Sequence, residues 1–291
     1  MQYFSYLDDD ALDRIHHASL EILEETGLLV RNQKARRRFA EHGAIVDEKS
    51  ERVRIPSDVV TRHLAMVPPK ITLRGRDPKY DVTLPRRLPV IATASSAPDI
   101  VDPVSGETRR ATSKDIARIG HVVNELDGFD VFSISVLADD APEGHFNLSR
   151  FYPALKNCLK PVRTSVLNVE EAKKILKLGE LIAGSPEAFW ERPFITFGYC
   201  SIVPPLTMDF DSTENLMFFA EKGVTAYGTV APMGGINTPL SLPGMMVMIN
   251  AEWLATMCLA QMSRAGTELI YHFLPVFAAL RDGAYAPGAI D

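Results

Sequence analysis

The chain has 291 residues, of which 46% are hydrophobic and 23% are charged, and its formal net charge at pH 7 is -6. This composition is that of a globular protein with enough apolar residues for a large core, and the length allows one large α/β domain or two ordinary ones. The acidic balance argues against nucleic acid as a partner.

Cysteine usage and the first residues indicate a compartment. The widely spaced cysteines are Cys158, Cys200 and Cys258. They form neither a CxxC pair nor a disulfide framework, which fits a reducing environment. The opening MQYFSYLDDD becomes acidic at once, unlike a secretory signal. The longest apolar stretch, 243–262, contains Asn250 and Glu252, so we expect a buried helix, no membrane partner and a cytoplasmic protein.

Residues 1–89 are predicted to form a helical appendage with a small β element. Apolar residues at helical spacing predict a helix over DDDALDRIHHASLEILEETG, which acidic residues open and Gly27 closes. Further helices are predicted at about Asn32–His42, and from Ser57 to the Pro68-Pro69 pair. The alternating segments KITLRGR and YDVTL predict short strands.

From residue 90 onward, strands alternate with helices. The capping patterns Thr112-x-x-Asp115 and Asn168-x-x-Glu171 start two of these helices, and Ser105-Gly106 marks a hairpin turn. Strands are predicted in the six segments PVIATAS, FDVFSISV, PVRTSVL, PFITFGYCS, VTAYGTV and TELIYHF. Each is separated from the next by a crossover long enough for a helix, and their continuous apolar runs favour a parallel sheet covered on both faces.

Two architectures fit this order of elements, an open doubly wound sheet and a (β/α)8 TIM-type barrel. The doubly wound sheet would need a glycine fingerprint after an early strand, and ATASSAPD supplies none. A barrel needs eight strands. Residues 90–291 are therefore interpreted as a partial, catalytic (β/α)8 barrel in a chain that is truncated at its C-terminus. An open sheet that is complete as written is the alternative.

The carboxyl ends of the strands of a barrel form one rim, which carries the active site. Among the predicted strand ends, Arg163 is the only clear cation and His272 the only imidazole. Aromatic and hydroxyl groups otherwise predominate, which suits a ligand held by shape and by cation–π contacts; ordinary core packing of the aromatics is the alternative. The candidate substrate-binding residues are Tyr199, Ser201, Met233, Gly234, Gly235, His272, Phe273 and Arg163.

The segment TVAPMGGINTP, residues 229–239, lies between a predicted strand and a long predicted helix. It lacks the lysine and the GxxxxGK pattern of a nucleotide cradle. Its glycines either let the backbone approach a ligand and offer amide N–H groups to a carboxylate, or only provide a wide turn with positive φ. The chain has no GxSxG, HExxH or spaced His/Cys set, so the sequence assigns no catalytic residue and no metal ligand.

Several segments, taken in order, point to one family. They are LDRIHHASLEILEETGLLV, ARRRFAEHGAIVDEKSERVRIPSDVV, VPPKITLRGRDPKYDV, GTVAPMGGINTPLSLPGMMVMINAEWLATMCLAQMSRAGTELIY and GAYAPGAID. Together they resemble the trimethylamine methyltransferase family of corrinoid-dependent enzymes, over essentially the whole chain. The resemblance implies a (β/α)8 barrel that moves a methyl group from trimethylamine, or from a quaternary amine such as glycine betaine, to the cobalt of a separate corrinoid protein.

The resemblance also implies how the site is organised. The corrinoid would be carried by the partner protein, with none bound tightly by this chain, and aromatic rim residues would enclose the methylammonium. The amides of Gly234 and Gly235, or Arg163, would hold a carboxylate. Family members run well past Asp291, where the pyrrolysine of the trimethylamine enzymes would lie. Because no pyrrolysine is visible in this chain, a quaternary amine is the expected substrate. A homo-oligomer is the expected assembly.

Three alternatives to a methyltransferase stay open at this point. One is a non-catalytic protein that binds a quaternary amine in the same pocket, and another is an inactive fragment. The third is an unrelated barrel enzyme that uses a Schiff-base lysine, but no lysine lies at a predicted strand end.

Overall fold

The computed structural model describes residues 6–279, 281 and 285–286. The α-helices of this part of the chain are α1 (Asp9–Glu21), α2 (Gln33–Glu41), α3 (Ser57–Leu64), α4 (Ser113–Glu125), α5 (Phe146–Asn157), α6 (Val169–Ala183), α7 (Pro186–Glu191), α8 (Phe210–Lys222) and α9 (Leu242–Ser263). A π-helical segment, Ile22–Thr26, continues α1, and Pro78–Tyr80 is a 3-10 turn.

The strands are shorter than the helices and are distributed along the whole described chain. They are β1 (Leu28–Val30), β2 (Ile45–Asp47), β3 (Arg52–Arg54), β4 (Ile71–Leu73), β5 (Val82–Leu84), β6 (Asp99–Val101), β7 (Thr108–Arg110), β8 (Phe132–Ser133), β9 (Val162–Ser165), β10 (Ile195–Tyr199), β11 (Ile202–Val203), β12 (Thr207–Met208), β13 (Ala226–Val230), β14 (Met233–Gly234), β15 (Leu269–Phe273), β16 (Val276–Ala278) and β17 (Tyr285–Ala286).

The chain forms two compact units. The first comprises Met1–Val67, Tyr199–Gly223 and Tyr227–Asp291, and the second comprises Pro68–Gly198 and Val224–Ala226. The predicted boundary between residues 89 and 90 stays a prediction.

A parallel sheet of five strands has the order β15-β13-β10-β9-β8. The predicted strand PVIATAS is not regular: within it Ala92 forms an isolated parallel bridge to Val131, and just beyond it Ala97 forms another to Val136. Between the two bridges, Ser96 has a φ of 66°, a left-handed conformation that interrupts an extended backbone. The mixed α/β class is confirmed, and the partial (β/α)8 barrel stays a prediction.

In the second unit, the start of α4 is fixed by charge and by capping. Thr112 and Asp115 form the predicted capping box. Arg109 of β7 donates to both oxygens of Asp115, at 2.8 and 2.9 Å, and this contact holds the pKa of the carboxyl well below its usual range. The predicted hairpin, β6 and β7 around Gly106, is thereby anchored to α4.

The first unit contains a sheet that the sequence analysis missed. Its order is β11-β12-β1-β3-β2, and β1 pairs in parallel with β12, Leu29 opposite Thr207 and Val30 opposite Met208. These strands have only two or three residues each, too few for an alternating pattern to show, and the parallel pair joins segments far apart in the chain. The three helices predicted around them, α1, α2 and α3, are confirmed.

Helix α9 is the core helix of the first unit, where it packs against α1, α3 and α8. Its length and composition alone would allow it to cross a membrane, but 61% of its most apolar window is buried, and the core helix of a soluble protein meets the same criterion. The prediction of a buried helix over 243–262 is confirmed. The absence of a membrane partner stays a prediction.

Candidate functional site

Three residues of the first unit form a small face on two neighbouring strands, with Thr229 and His272 one residue from the carboxyl ends and Tyr227 near the amino end of its strand. The ring centroids of Tyr227 on β13 and His272 on β15 lie 5.7 Å apart with planes at 78°, and Thr229 Oγ1 lies 3.0 Å from His272 Nδ1. Tyr227 and Thr229 are two residues apart on a strand and therefore point to the same side. Tyr227 is buried, whereas Thr229 and His272 are half-buried. We call these three residues the Tyr227 face.

The other side of β15 is occupied differently. The Tyr271 ring lies 4.5 Å from that of Trp253 on α9 and 5.3 Å from that of Phe273. The candidate residues His272 and Phe273 are neighbours on one strand, so their side chains point to opposite faces. A ligand enclosed by the Tyr227 face therefore contacts His272 and not Phe273. Tyr227 was absent from the candidate set, although its two-residue spacing from Thr229 was visible in the sequence.

The ring of Tyr199, at the end of β10, packs against the backbone of Gly228. A Cβ atom built on Gly228 would lie 2.7 Å from the Tyr199 hydroxyl oxygen, so the ring requires glycine at that position. Burial raises the pKa of Tyr199 far above its usual value. The phenol is therefore neutral at every physiological pH and acts as a hydrogen-bonding or packing group, not as a base.

Two backbone N–H groups of the Gly-Gly loop are hydrogen-bonded within the loop itself. The N–H of Gly235, whose φ is 83°, donates to Thr238 O at 3.0 Å, and the Met233 N–H donates to Asn237 Oδ1 at 2.6 Å. Gly234 pairs with β16, where a Cβ atom would lie 2.7 Å from the Phe277 ring. Locally the segment is the wide turn with positive φ, and the Gly235 amide is already satisfied within it.

Gly235→Ala is expected to lower the free energy of unfolding by about 1 kcal/mol, because an L-residue is strained at this φ, and to leave the affinity for a methylated amine unchanged. Urea denaturation and calorimetry measure the two quantities. Gly266→Ala is the matched control, since Gly266 has a φ of 77° and no atom within 4 Å of its Cβ position. A tenfold loss of affinity in Gly235→Ala alone would show instead that this amide contacts the ligand.

Arg163 belongs to the second unit, whereas the other candidate residues lie in the first. Its Nε donates to Ser133 Oγ at 2.6 Å, and the two residues are opposite each other in the β8–β9 register. The next residue, Thr164, points the other way and accepts a hydrogen bond from the buried Arg150. Arg163 is half-buried and is oriented by a hydroxyl group, an arrangement suited to binding an anion.

Comparison with known proteins decides the family. The trimethylamine methyltransferase (MTTB) family matches residues 1–291. The chain belongs to this family. The resemblance of its ordered segments is thereby confirmed.

Individual members of the trimethylamine methyltransferase family match at moderate identity. The trimethylamine methyltransferase MttB of Desulfitobacterium hafniense (strain DSM 10664 / DCB-2) is 30% identical over 269 residues, covering 90% of this chain and 53% of that protein. The glycine betaine methyltransferase of Desulfitobacterium hafniense (strain Y51) is 27% identical over 288 residues, covering 98% and 59%. MttB of Methanosarcina barkeri (strain Fusaro / DSM 804) is 29% identical over 272 residues, covering 90% and 54%. The chain spans about half the length of the relatives it matches.

The candidate residue Ser201 of this chain points to α9. Ser201 Oγ lies 3.2 Å from Thr256 Oγ1, and both side chains are buried. One turn earlier on α9, Glu252 Oε1 accepts the Leu206 N–H at 2.8 Å. Burial raises the pKa of Glu252 to about 7. The sequence had marked Glu252 only as a polar residue in an apolar helix.

Metal coordination was considered separately. Within the described part of the chain, no group of three or more His, Cys, Asp or Glu side chains is placed to hold a metal ion.

Proposed function

We propose that this protein transfers a methyl group from a methylated amine to the cobalt of a corrinoid protein, with a quaternary amine such as glycine betaine as the substrate and trimethylamine as the alternative. The observation that carries the proposal is the Tyr227 face, an aromatic and weakly charged surface that extends along β13 to the strand ends of a chain in this family. Relatives named for trimethylamine and for glycine betaine both support the substrate class.

The chemistry of this face suits a methylammonium group. A cation over an aromatic ring gains about 0.5–2 kcal/mol, and the quaternary group offers no hydrogen-bond donor that would require a carboxylate partner. The Thr229 hydroxyl fixes the orientation of the His272 ring through Nδ1. A role of Arg163, which belongs to the second unit, in binding a substrate carboxylate stays a prediction from the sequence.

The corrinoid, bound to its own partner protein, supplies the nucleophile. The residues of this chain then need to hold the N–CH3 bond in line, exclude water and leave the methyl group accessible. Partial exposure of His272 fits this requirement, because a group held beside it can be reached from outside the chain.

The larger architecture belongs to the same proposal. The five-stranded sheet would be part of a (β/α)8 barrel over residues 90–291, preceded by an appendage at 1–89, in a homo-oligomeric cytoplasmic enzyme. The shared length with relatives, 53–59% of each of the first two, is consistent with further barrel strands outside this chain.

The test is methylation of cob(I)alamin by the full-length protein with trimethylamine, glycine betaine and other methylated amines as donors. Turnover is expected with at least one quaternary amine. Absence of turnover with every amine in the panel contradicts the proposal. Calorimetric binding of an amine without any methyl transfer would instead identify a non-catalytic amine-binding protein.

A further inference from the structure

The segment 200–209, which connects β10 to α8, makes contacts with three parts of the first unit. At its start, Cys200 Sγ lies 3.2 Å from the carbonyl oxygen of Thr229 in the Tyr227 face. Further along, Leu206 O accepts the Leu29 N–H of the N-terminal sheet at 2.9 Å. The Leu206 N–H donates to Glu252 Oε1 on α9 at 2.8 Å. We call this stretch the rim segment.

Helix α9 holds the rim segment at two points that are one helical turn apart. Glu252 and Thr256 are spaced four residues apart, so they lie on the same side of the helix, and they are 0% and 2% exposed. Glu252 holds Leu206, and Thr256 Oγ1 lies 3.2 Å from Ser201 Oγ. Strand β11 lies between these two points and β12 begins directly after Leu206, so α9 holds the segment on both sides of β11.

Glu252 holds the rim segment with only one of its two carboxyl oxygens. Its Oε2 atom is buried and has no hydrogen-bond partner among the described residues. A fully buried charge without such a partner is unfavourable by several kcal/mol. The carboxyl group therefore favours the neutral form, which keeps an acceptor for Leu206 and carries no charge.

Apart from the Leu206 N–H, the surroundings of Glu252 do not stabilise its ionised form. The ionisable groups of the rim segment are Cys200 and Asp209, and both become negative on losing a proton. Burial raises the pKa of Glu252 and the Leu206 N–H lowers it. No charged group in the described parts of the elements that pack on α9 contributes, neither Glu24 and Glu25 of the π-helical segment nor any group of α1, α2, α3, α8 or β15. In turn, partial burial and then the Glu252 carboxylate raise the pKa of the Cys200 thiol.

We propose that Glu252 is a positioning residue, whose carboxyl group holds the rim segment through Leu206 and thereby holds Cys200 and Thr229 in the arrangement that binds the methylated amine. Loss of its proton weakens this hold, because the buried charge is relieved when the rim segment moves away and admits water. The consequence for the amine rests on the proposed function, whereas the positioning of the segment does not.

Hydrogen exchange at the Leu206 amide tests the positioning directly, in this chain and in Glu252→Gln and Glu252→Ala variants. We expect exchange, corrected for its intrinsic pH dependence, to accelerate at least tenfold in Glu252→Ala at pH 6. It stays within about threefold of wild type in Glu252→Gln, which keeps an acceptor oxygen. Between pH 6 and pH 8 the corrected rate rises in wild type and not in Glu252→Gln. Ser263→Ala, which removes a hydroxyl from the same helix, is the control.

Alkylation of Cys200 with iodoacetamide provides a second readout, since Cys158 and Cys258 are buried and Cys200 is exposed. Glu252→Ala removes the acceptor for Leu206, so at pH 6 Cys200 is expected to react several-fold faster than in wild type, whereas Glu252→Gln is expected to react nearly as wild type does. Identical pH profiles of Leu206 exchange in wild type and Glu252→Gln would overturn the proposal, as would unchanged Leu206 protection in Glu252→Ala. If wild type binds no amine, the proposed function is contradicted, and the two exchange measurements at Leu206 still decide the role of Glu252.

Discussion

Replacement of Tyr227 with leucine is expected to weaken the binding of a quaternary methylammonium about tenfold, while replacement of Phe273 with leucine leaves it within about twofold. The reason for the difference is strand geometry. Tyr227 shares a face with His272, whereas Phe273 lies with Tyr271 and Trp253 on the other side of β15. Loss of one cation–π contact of up to about 2 kcal/mol corresponds to roughly one order of magnitude or slightly more in affinity.

Isothermal calorimetry with tetramethylammonium and glycine betaine measures this effect. Tyr227→Phe is the conservative control, because it keeps the ring and removes only the hydroxyl group, and it is expected to bind nearly as wild type does. Equal losses in the Tyr227 and Phe273 variants would mean that the ligand does not lie on the Tyr227 face. Both variants need a wild-type circular dichroism spectrum, since Tyr227 is buried and its truncation also costs stability.

Elements with local signals could be predicted from the sequence. Helices α2, α4 and α6 begin at residues whose side chains cap them, Asn32, Thr112 and Asn168, and each capping signal lies within four residues of the chain. The pairing of β1 with β12 has no such signal. It is set by packing in the folded unit, because a run of two or three residues has no period to read.

The candidate site was predictable to the level of the strand end and no further. His272 was identified because it is an imidazole at the end of a predicted strand, and the structure places it beside Thr229 and Tyr227. Ser201, one residue beyond Cys200, turns to Thr256, since the chain leaves the strand there and alternation no longer applies. Glu252 was outside any strand end, and only its burial and its orphan oxygen mark it.

Glu252→Gln is expected to remove about 3 kcal/mol of pH dependence from the free energy of unfolding. The carboxyl group has a pKa of about 7 in the folded chain against an ordinary value of 4.5, and a difference of one pKa unit is worth about 1.4 kcal/mol. Between these two pH values the folded state binds more protons than the unfolded state, so raising the pH favours unfolding. The contribution of Glu252 to the free energy of unfolding is therefore largest below pH 4.5. It falls as the pH rises to about 7 and is constant at higher pH.

The measurement is a series of urea denaturations from pH 4.5 to pH 8 on wild type and variant, with the difference between the two taken at each pH. Subtraction removes the other carboxyl groups, which titrate alike in both proteins. Glu41→Gln, at an exposed position on α2, is the control for the removal of a surface carboxyl group. A constant difference between wild type and Glu252→Gln over this range would mean that Glu252 gains a counter-charge or water in solution. A difference that shifts in favour of the glutamine variant by about 3 kcal/mol as the pH rises would establish a buried carboxyl group that is neutral below pH 7, the state in which it holds Leu206 without carrying a charge.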